Sequence, residues 1–134
     1  MLSSVDSRYL DTDEFNSLDI DESSSFGLIH LNIASLDNHI DDLRLLVSNI
    51  NKKPDIIGIS EHKIQNELGP SSNIDLLGYN EFKFTPTNST HGGVGFYVKE
   101  NTNFIERNYL DINSTSDYEP RFIRIKFENR KLLI

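Results

Sequence analysis

Residues 28–63 read LIHLNIASLDNHIDDLRLLVSNINKKPDIIGISEHK, and this stretch decides the fold. Leu28–Ile33 and Ile56–Ile59 are short runs rich in Ile and Leu, the pattern of strands covered on both faces. Between them Ile40, Leu43, Val47 and Ile50 recur at helical spacing and give the segment one apolar face. Ser35 or Asp37 can cap the helix start; Asp41 and Asp42 sit early, Lys52 and Lys53 late, and Pro54 follows. The stretch is therefore a β-α-β crossover with parallel strands. Asn32 and Glu61 then emerge at the same carboxyl-terminal sheet edge, where open α/β sheets usually bind ligands.

Working outward, 134 residues make at most one domain of ordinary size, and the absence of cysteine excludes disulfides and thiolate metal sites. With no secretory signal or long apolar run, the expectation is an intracellular chain without a membrane partner. The net charge of −8 is unevenly placed: residues 1–25 hold seven acids and one arginine, a net of −6, leaving −2 for the remainder. This acidity counts against nucleic-acid binding, which phosphate neutralisation drives. A divalent cation and the local charge of a cleft can offset it.

Residues 1–25, acidic and Ser-rich, read as a disordered leader, with Tyr9, Leu10 and Phe15 as the alternative of a docked anchor. His30, alone between apolar neighbours, reads as a core or sheet-face histidine. His62 is expected to point away from Glu61, and Lys63 to be a solvated charge in a position that permits a phosphate contact. Gln65–Asn73 is a breaker-rich loop, and Leu76, Leu77, Tyr79, Phe82 and Phe84 indicate one or two short strands. Tyr79 and the 87–90 run read as core and loop in preference to phosphate contacts. His91-Gly-Gly-Val-Gly-Phe-Tyr-Val98 enters a strand through a tight glycine turn and is neither a dinucleotide fingerprint nor a P-loop. Strands are further predicted at 104–112, from Phe122 to Phe127, and from Lys131 to the end.

L-N-I-A-S-L at 31–36 followed by P-D-I-I-G-I-S-E-H-K at 54–63 resembles the opening of the endonuclease/exonuclease/phosphatase superfamily. The H-G-G-V-G-F strand at 91–96 is most similar to the endonuclease domain of LINE-type (non-LTR) retrotransposons. The resemblance begins near Tyr9 and covers nearly the rest of the chain. It implies an α/β chain forming part of a four-layer, deoxyribonuclease-like sandwich, with a mixed sheet opened by the β-α-β unit. It assigns phosphate and metal-environment orientation to Asn32 and ligation of a catalytic Mg²⁺, with Mn²⁺ as a substitute, to Glu61. Glu119-Pro120 resembles the Glu-Pro whose carboxylate pairs with a catalytic histidine in pancreatic deoxyribonuclease; the alternative is a strand-initial glutamate without such a partner. Ala34 departs from the acidic residue that apurinic endonucleases carry there, so this strand offers one carboxylate fewer.

The remaining family parts, an Asp-x-Asn pair, a second metal-associated acid and a Ser-Asp-His motif, are not in this sequence. Asp111-Ile112-Asn113 has the first spacing but precedes the strand it should follow. Residues 26–134 are accordingly expected to be the amino-terminal part of such a domain, truncated at its carboxyl end and inactive alone. The parent activity implied is nicking of target DNA in the nucleus to prime a downstream reverse transcriptase. A superfamily phosphatase acting on phosphoinositides or other phosphoesters, and a non-catalytic binding module, are the alternatives.

Overall fold

The computed structural model describes residues 9–19, 26–65, 69–87, 91–106, 123–127 and 130–133. Its elements are α1 (Thr12–Asn16), β1 (Leu28–Asn32), α2 (Leu36–Asn49), β2 (Ile56–Ser60), β3 (Lys83–Thr85), β4 (Val94–Val98), β5 (Phe104–Glu106), β6 (Ile123–Phe127) and β7 (Arg130–Leu133). The main sheet runs β1-β2-β4-β3, with β1 parallel to β2 and the other pairings antiparallel. An antiparallel sheet, β5-β6-β7, comes from the last strands. The α/β class and the mixed sheet opened by a β-α-β unit are as the sequence predicts.

Helix α2 forms because its apolar residues share one stripe. Leu36, Ile40, Leu43 and Val47 are buried along it and meet Ile57, Ile59 and Tyr97 of the sheet. Full burial of each such aliphatic side chain contributes about 1.5–3 kcal/mol. Beyond the last turn the Lys53 ammonium folds back to donate to the carbonyls of Val47 and Ile50, satisfying acceptors that the helix leaves open. The start of α2 differs from expectation. Ser35 occupies the cap position without a side-chain bond, and the Asp37 carboxylate instead accepts from the amides of Ser71 and Ser72 and from the Ser72 hydroxyl. Burial pushes the Asp37 pKa up, but these bonds outweigh it and hold the group below its ordinary value. Asp37 thereby ties the 69–73 loop to the helix.

The opposite sheet face carries Ile56, Phe96 and Val98, packed with Phe26. Strand β2 is thus apolar on both faces, but β1 is not. Strand β1, last in the sheet order of the described residues, alternates, with Leu28, His30 and Asn32 on its outward face, and Leu28 is 55% exposed. Among the described residues, double-sided cover holds for β2 and also for β4, which puts Tyr97 on one face and Phe96 and Val98 on the other, but not for β1. His30 occupies the sheet face beside Gly58.

Within the acidic leader, residues 12–16 depart from the disorder expected of residues 1–25. Asp11 and Glu14 form a reciprocal capping box on α1. Asn16 then docks the short helix, its Nδ2 donating to Asn49 O at 2.7 Å while its Oδ1 accepts from the Asn51 amide at 2.8 Å. Phe15 is half-buried and Tyr9 fully exposed. The missed signal was the D-x-x-E cap, which composition alone does not register. Among the described residues, no helix is long and apolar enough to cross a membrane.

Candidate active site

Asn32 is paired with Ser60 in the parallel register, and Glu61 is the next residue. The β-α-β unit therefore brings the two predicted site residues to one sheet edge. Pairing continues past the strand ends: Ile33 N donates to Ser60 O, Ser35 N to Glu61 O at 2.8 Å, and Leu36 N to His62 O. Asn32 is exposed at this edge and Glu61 is half-buried.

The backbone here is unusual. Ala34, Ser35, Glu61 and Lys63 all have positive φ, at 53°, 108°, 58° and 61°. A non-glycine residue in such a conformation costs about 1–3 kcal/mol and persists only where its surroundings over-determine it. The surroundings here do so. On the side away from residues 33–36, His62 N donates to Gly93 O at 3.3 Å and Lys63 N to Gly92 O at 2.9 Å, while Gly92 N donates to Glu61 Oε2 at 3.0 Å. Each bond contributes about 1 kcal/mol, more when a carboxylate accepts, and together with those from residues 33–36 they fix Glu61 and Lys63 from both sides.

The glycine turn can approach this closely only because it lacks a side chain. Gly93 has φ 94°, and a β-carbon there would lie 2.2 Å from the His62 ring. The glycines at 92–93 are thus part of the Glu61 site, a role the sequence reading did not assign; their signal was the doubled glycine before a strand. His62 points inward and is buried, as expected from its alternation with Glu61.

One oxygen of Glu61 is oriented by Gly92, leaving the other and the remaining lone pairs for a cation. Among the described residues no group of three His, Cys, Asp or Glu side chains is placed to hold a metal. This donor set still fits Mg²⁺, which is held by one or two carboxylates with waters and substrate phosphate completing its shell. It does not form an all-protein cage.

Tyr79 and Thr87 are buried, with the Tyr79 hydroxyl donating to Pro54 O and the Thr87 hydroxyl to His91 O; both belong to the framework, not to a phosphate surface. Glu119 and the Asp111–Asn113 triplet lie outside the described residues.

No family model matches this chain. No curated protein matches it. Among solved structures, it is similar to the 3′-5′ exonuclease NExo from Neisseria meningitidis, with 17% identity and a TM-score of 0.47. It is also similar to the 3′ phosphatase NExo from Neisseria, solved with a product DNA hairpin, with 16% identity and a TM-score of 0.49. Each match covers 81% of this chain, which spans 40% of the length of those structures.

Proposed function

We propose that this chain is the amino-terminal part of a Mg²⁺-dependent endonuclease of the non-LTR retrotransposon kind, which nicks target DNA by phosphodiester hydrolysis to prime reverse transcription. The observation that carries the reading is the placement of Asn32 and Glu61 at one sheet edge, with Glu61 on a left-handed backbone anchored from both sides. Strained non-glycine backbone concentrates at functional sites, and here it includes Glu61, the residue to which the sequence resemblance gives the cation.

In this reading a bound Mg²⁺, or Mn²⁺ in its place, supplies the positive charge that phosphodiester hydrolysis develops a need for at the phosphoryl oxygens. Glu61, its carboxylate oriented by Gly92, would hold that cation. Asn32, exposed beside it, donates from its carboxamide to a non-bridging phosphate oxygen and fixes the phosphate for in-line attack. Glu119 orients a histidine general base supplied from elsewhere in the domain. DNA is the substrate, a reverse-transcriptase domain of the same polyprotein the partner, and the nucleus the place of action.

The test is nicking of supercoiled plasmid by the full product of the reading frame. Mg²⁺-dependent nicking that Glu61→Gln and Asn32→Ala both abolish supports the reading. Nicking by Glu61→Gln at the wild-type rate sinks it. Hydrolysis of phosphomonoesters with intact plasmid would move the assignment to the phosphatases.

A further inference from the structure

His62 adjoins Glu61 yet is 1% exposed, and its environment fixes its tautomer. Nδ1 accepts from the Ile64 amide at 2.8 Å; an amide can only donate, so this nitrogen carries no proton. Nε2 lies 3.0 Å from Thr85 O, which can only accept, so Nε2 holds the proton and donates it. Phe82 and Phe84 meet the ring edge-on at centroid distances of 5.9 and 5.3 Å, and Gly93 closes over it.

The bond from Ile64 N back to Nδ1 spans two residues and curls the chain between 62 and 64. On either side of the ring Glu61 and Lys63 take their left-handed conformations. The same curl lets His62 N and Lys63 N reach the carbonyls of Gly93 and Gly92, which sets Gly92 N against the Glu61 carboxylate. A space-filling apolar residue would occupy this pocket without making the curl. We propose that His62 is a positioning residue: its imidazole, held between Ile64 N–H and the Thr85 carbonyl beneath Gly93, keeps Glu61 left-handed and aims its carboxylate at the cation. The inference rests on the reading of Glu61 as a cation ligand.

The test uses the 134-residue chain with His62→Asn and His62→Phe. Asn places an oxygen near the position of Nδ1 and can still accept from Ile64 N, as in an Asx turn; Phe keeps the ring volume and loses both bonds. Amide exchange at Gly92, followed by NMR without metal, reads the bond to Glu61. Mn²⁺ titration followed by water proton relaxation reads cation affinity. Exchange protection of Ile57 and Tyr97 reports that the sheet is intact.

The expected order of Gly92 protection is wild type, then Asn, then Phe, with Mn²⁺ binding in the Phe variant weakened about 10-fold, the scale of lost orienting partners. Wild-type Gly92 protection in a folded Phe variant, or its loss in a folded Asn variant, overturns the proposal. Should the Phe variant lose protection at Ile57 and Tyr97 as well, the Asn variant alone decides. A Glu61→Gln arm separates the two readings. If Glu61→Gln binds Mn²⁺ as wild type does, or wild type binds none, the cation role of Glu61 fails, while the exchange order at Gly92 still decides on His62.

Discussion

Gly92 donates its backbone amide to Oε2 of Glu61 across 3.0 Å, while Glu61 itself stands at φ 58°. The glycine turn before β4 therefore orients a side chain at the end of β2, and the conformation it stabilises is one that a glutamate occupies at a cost. Stability and site geometry pull in opposite directions at this residue.

Glu61→Gly is accordingly expected to hold or raise stability while destroying cation binding. Glycine removes a left-handed penalty of about 1–3 kcal/mol, which balances the loss of the Gly92 bond, worth somewhat more than about 1 kcal/mol because a carboxylate accepts it. Denaturant unfolding should show no loss of stability, and Mn²⁺ titration should show no binding. A variant destabilised by several kcal/mol would mean that the Glu61 conformation is not strained.

Gly93→Ala should be strongly destabilising, because the added β-carbon meets the His62 ring at 2.2 Å on a backbone at φ 94°. Overpacking and left-handed strain together predict a loss of about 2–4 kcal/mol, measurable as a lower denaturation midpoint. Gly78→Ala, at φ 86° but with nothing within 4 Å, isolates the backbone share and should cost less.

Two buried tyrosines predict alkaline sensitivity. The Tyr79 hydroxyl donates to Pro54 O and the Tyr97 hydroxyl to Ile74 O, each at 2.6 Å. Burial raises both phenol pKa values, aided at Tyr79 by Asp55; at Tyr97, Asp75 raises it further while Arg44 opposes. A folded-state pKa above the unfolded value of 10.0 means stability that is full below pH 10 and lost as pH climbs toward the folded values. Each tyrosine should contribute a downward slope of about 1.4 kcal/mol per pH unit in that window. The slope should vanish in a Tyr79→Phe/Tyr97→Phe double variant, which at neutral pH costs about 1–3 kcal/mol for each carbonyl left unpaired. Unfolding free energies from pH 8 upward would show both effects.

Asn16→Ala removes the bonds to Asn49 O and Asn51 N that hold α1 against the end of α2. A five-residue helix does not persist unsupported, since nucleation dominates at that length. Amide exchange over residues 12–16 should rise to the rate of an open chain, with overall stability falling by about 1 kcal/mol. Unchanged protection would assign the docking to the half-buried Phe15 instead.

Much of this protein is legible in one dimension, because local patterns decide it. The 3.6-residue stripe of Ile40, Leu43 and Val47 makes α2, and the flanking apolar runs make two parallel strands. Parallel strands joined by a helix must end at one edge, which puts Asn32 and Glu61 together without any contact being known. Tertiary structure alone decided the rest. Leu28, His30 and Asn32 are exposed because they share the outward face of β1, and which face of a strand is covered is a long-range property that no run of residues encodes. The Glu61 conformation likewise depends on Gly92 and Gly93, some thirty residues away, and on His62 closing against them. Left-handed glutamate has no local signature; packing and hydrogen bonds from distant segments must outweigh its intrinsic preference, and only the folded chain supplies them.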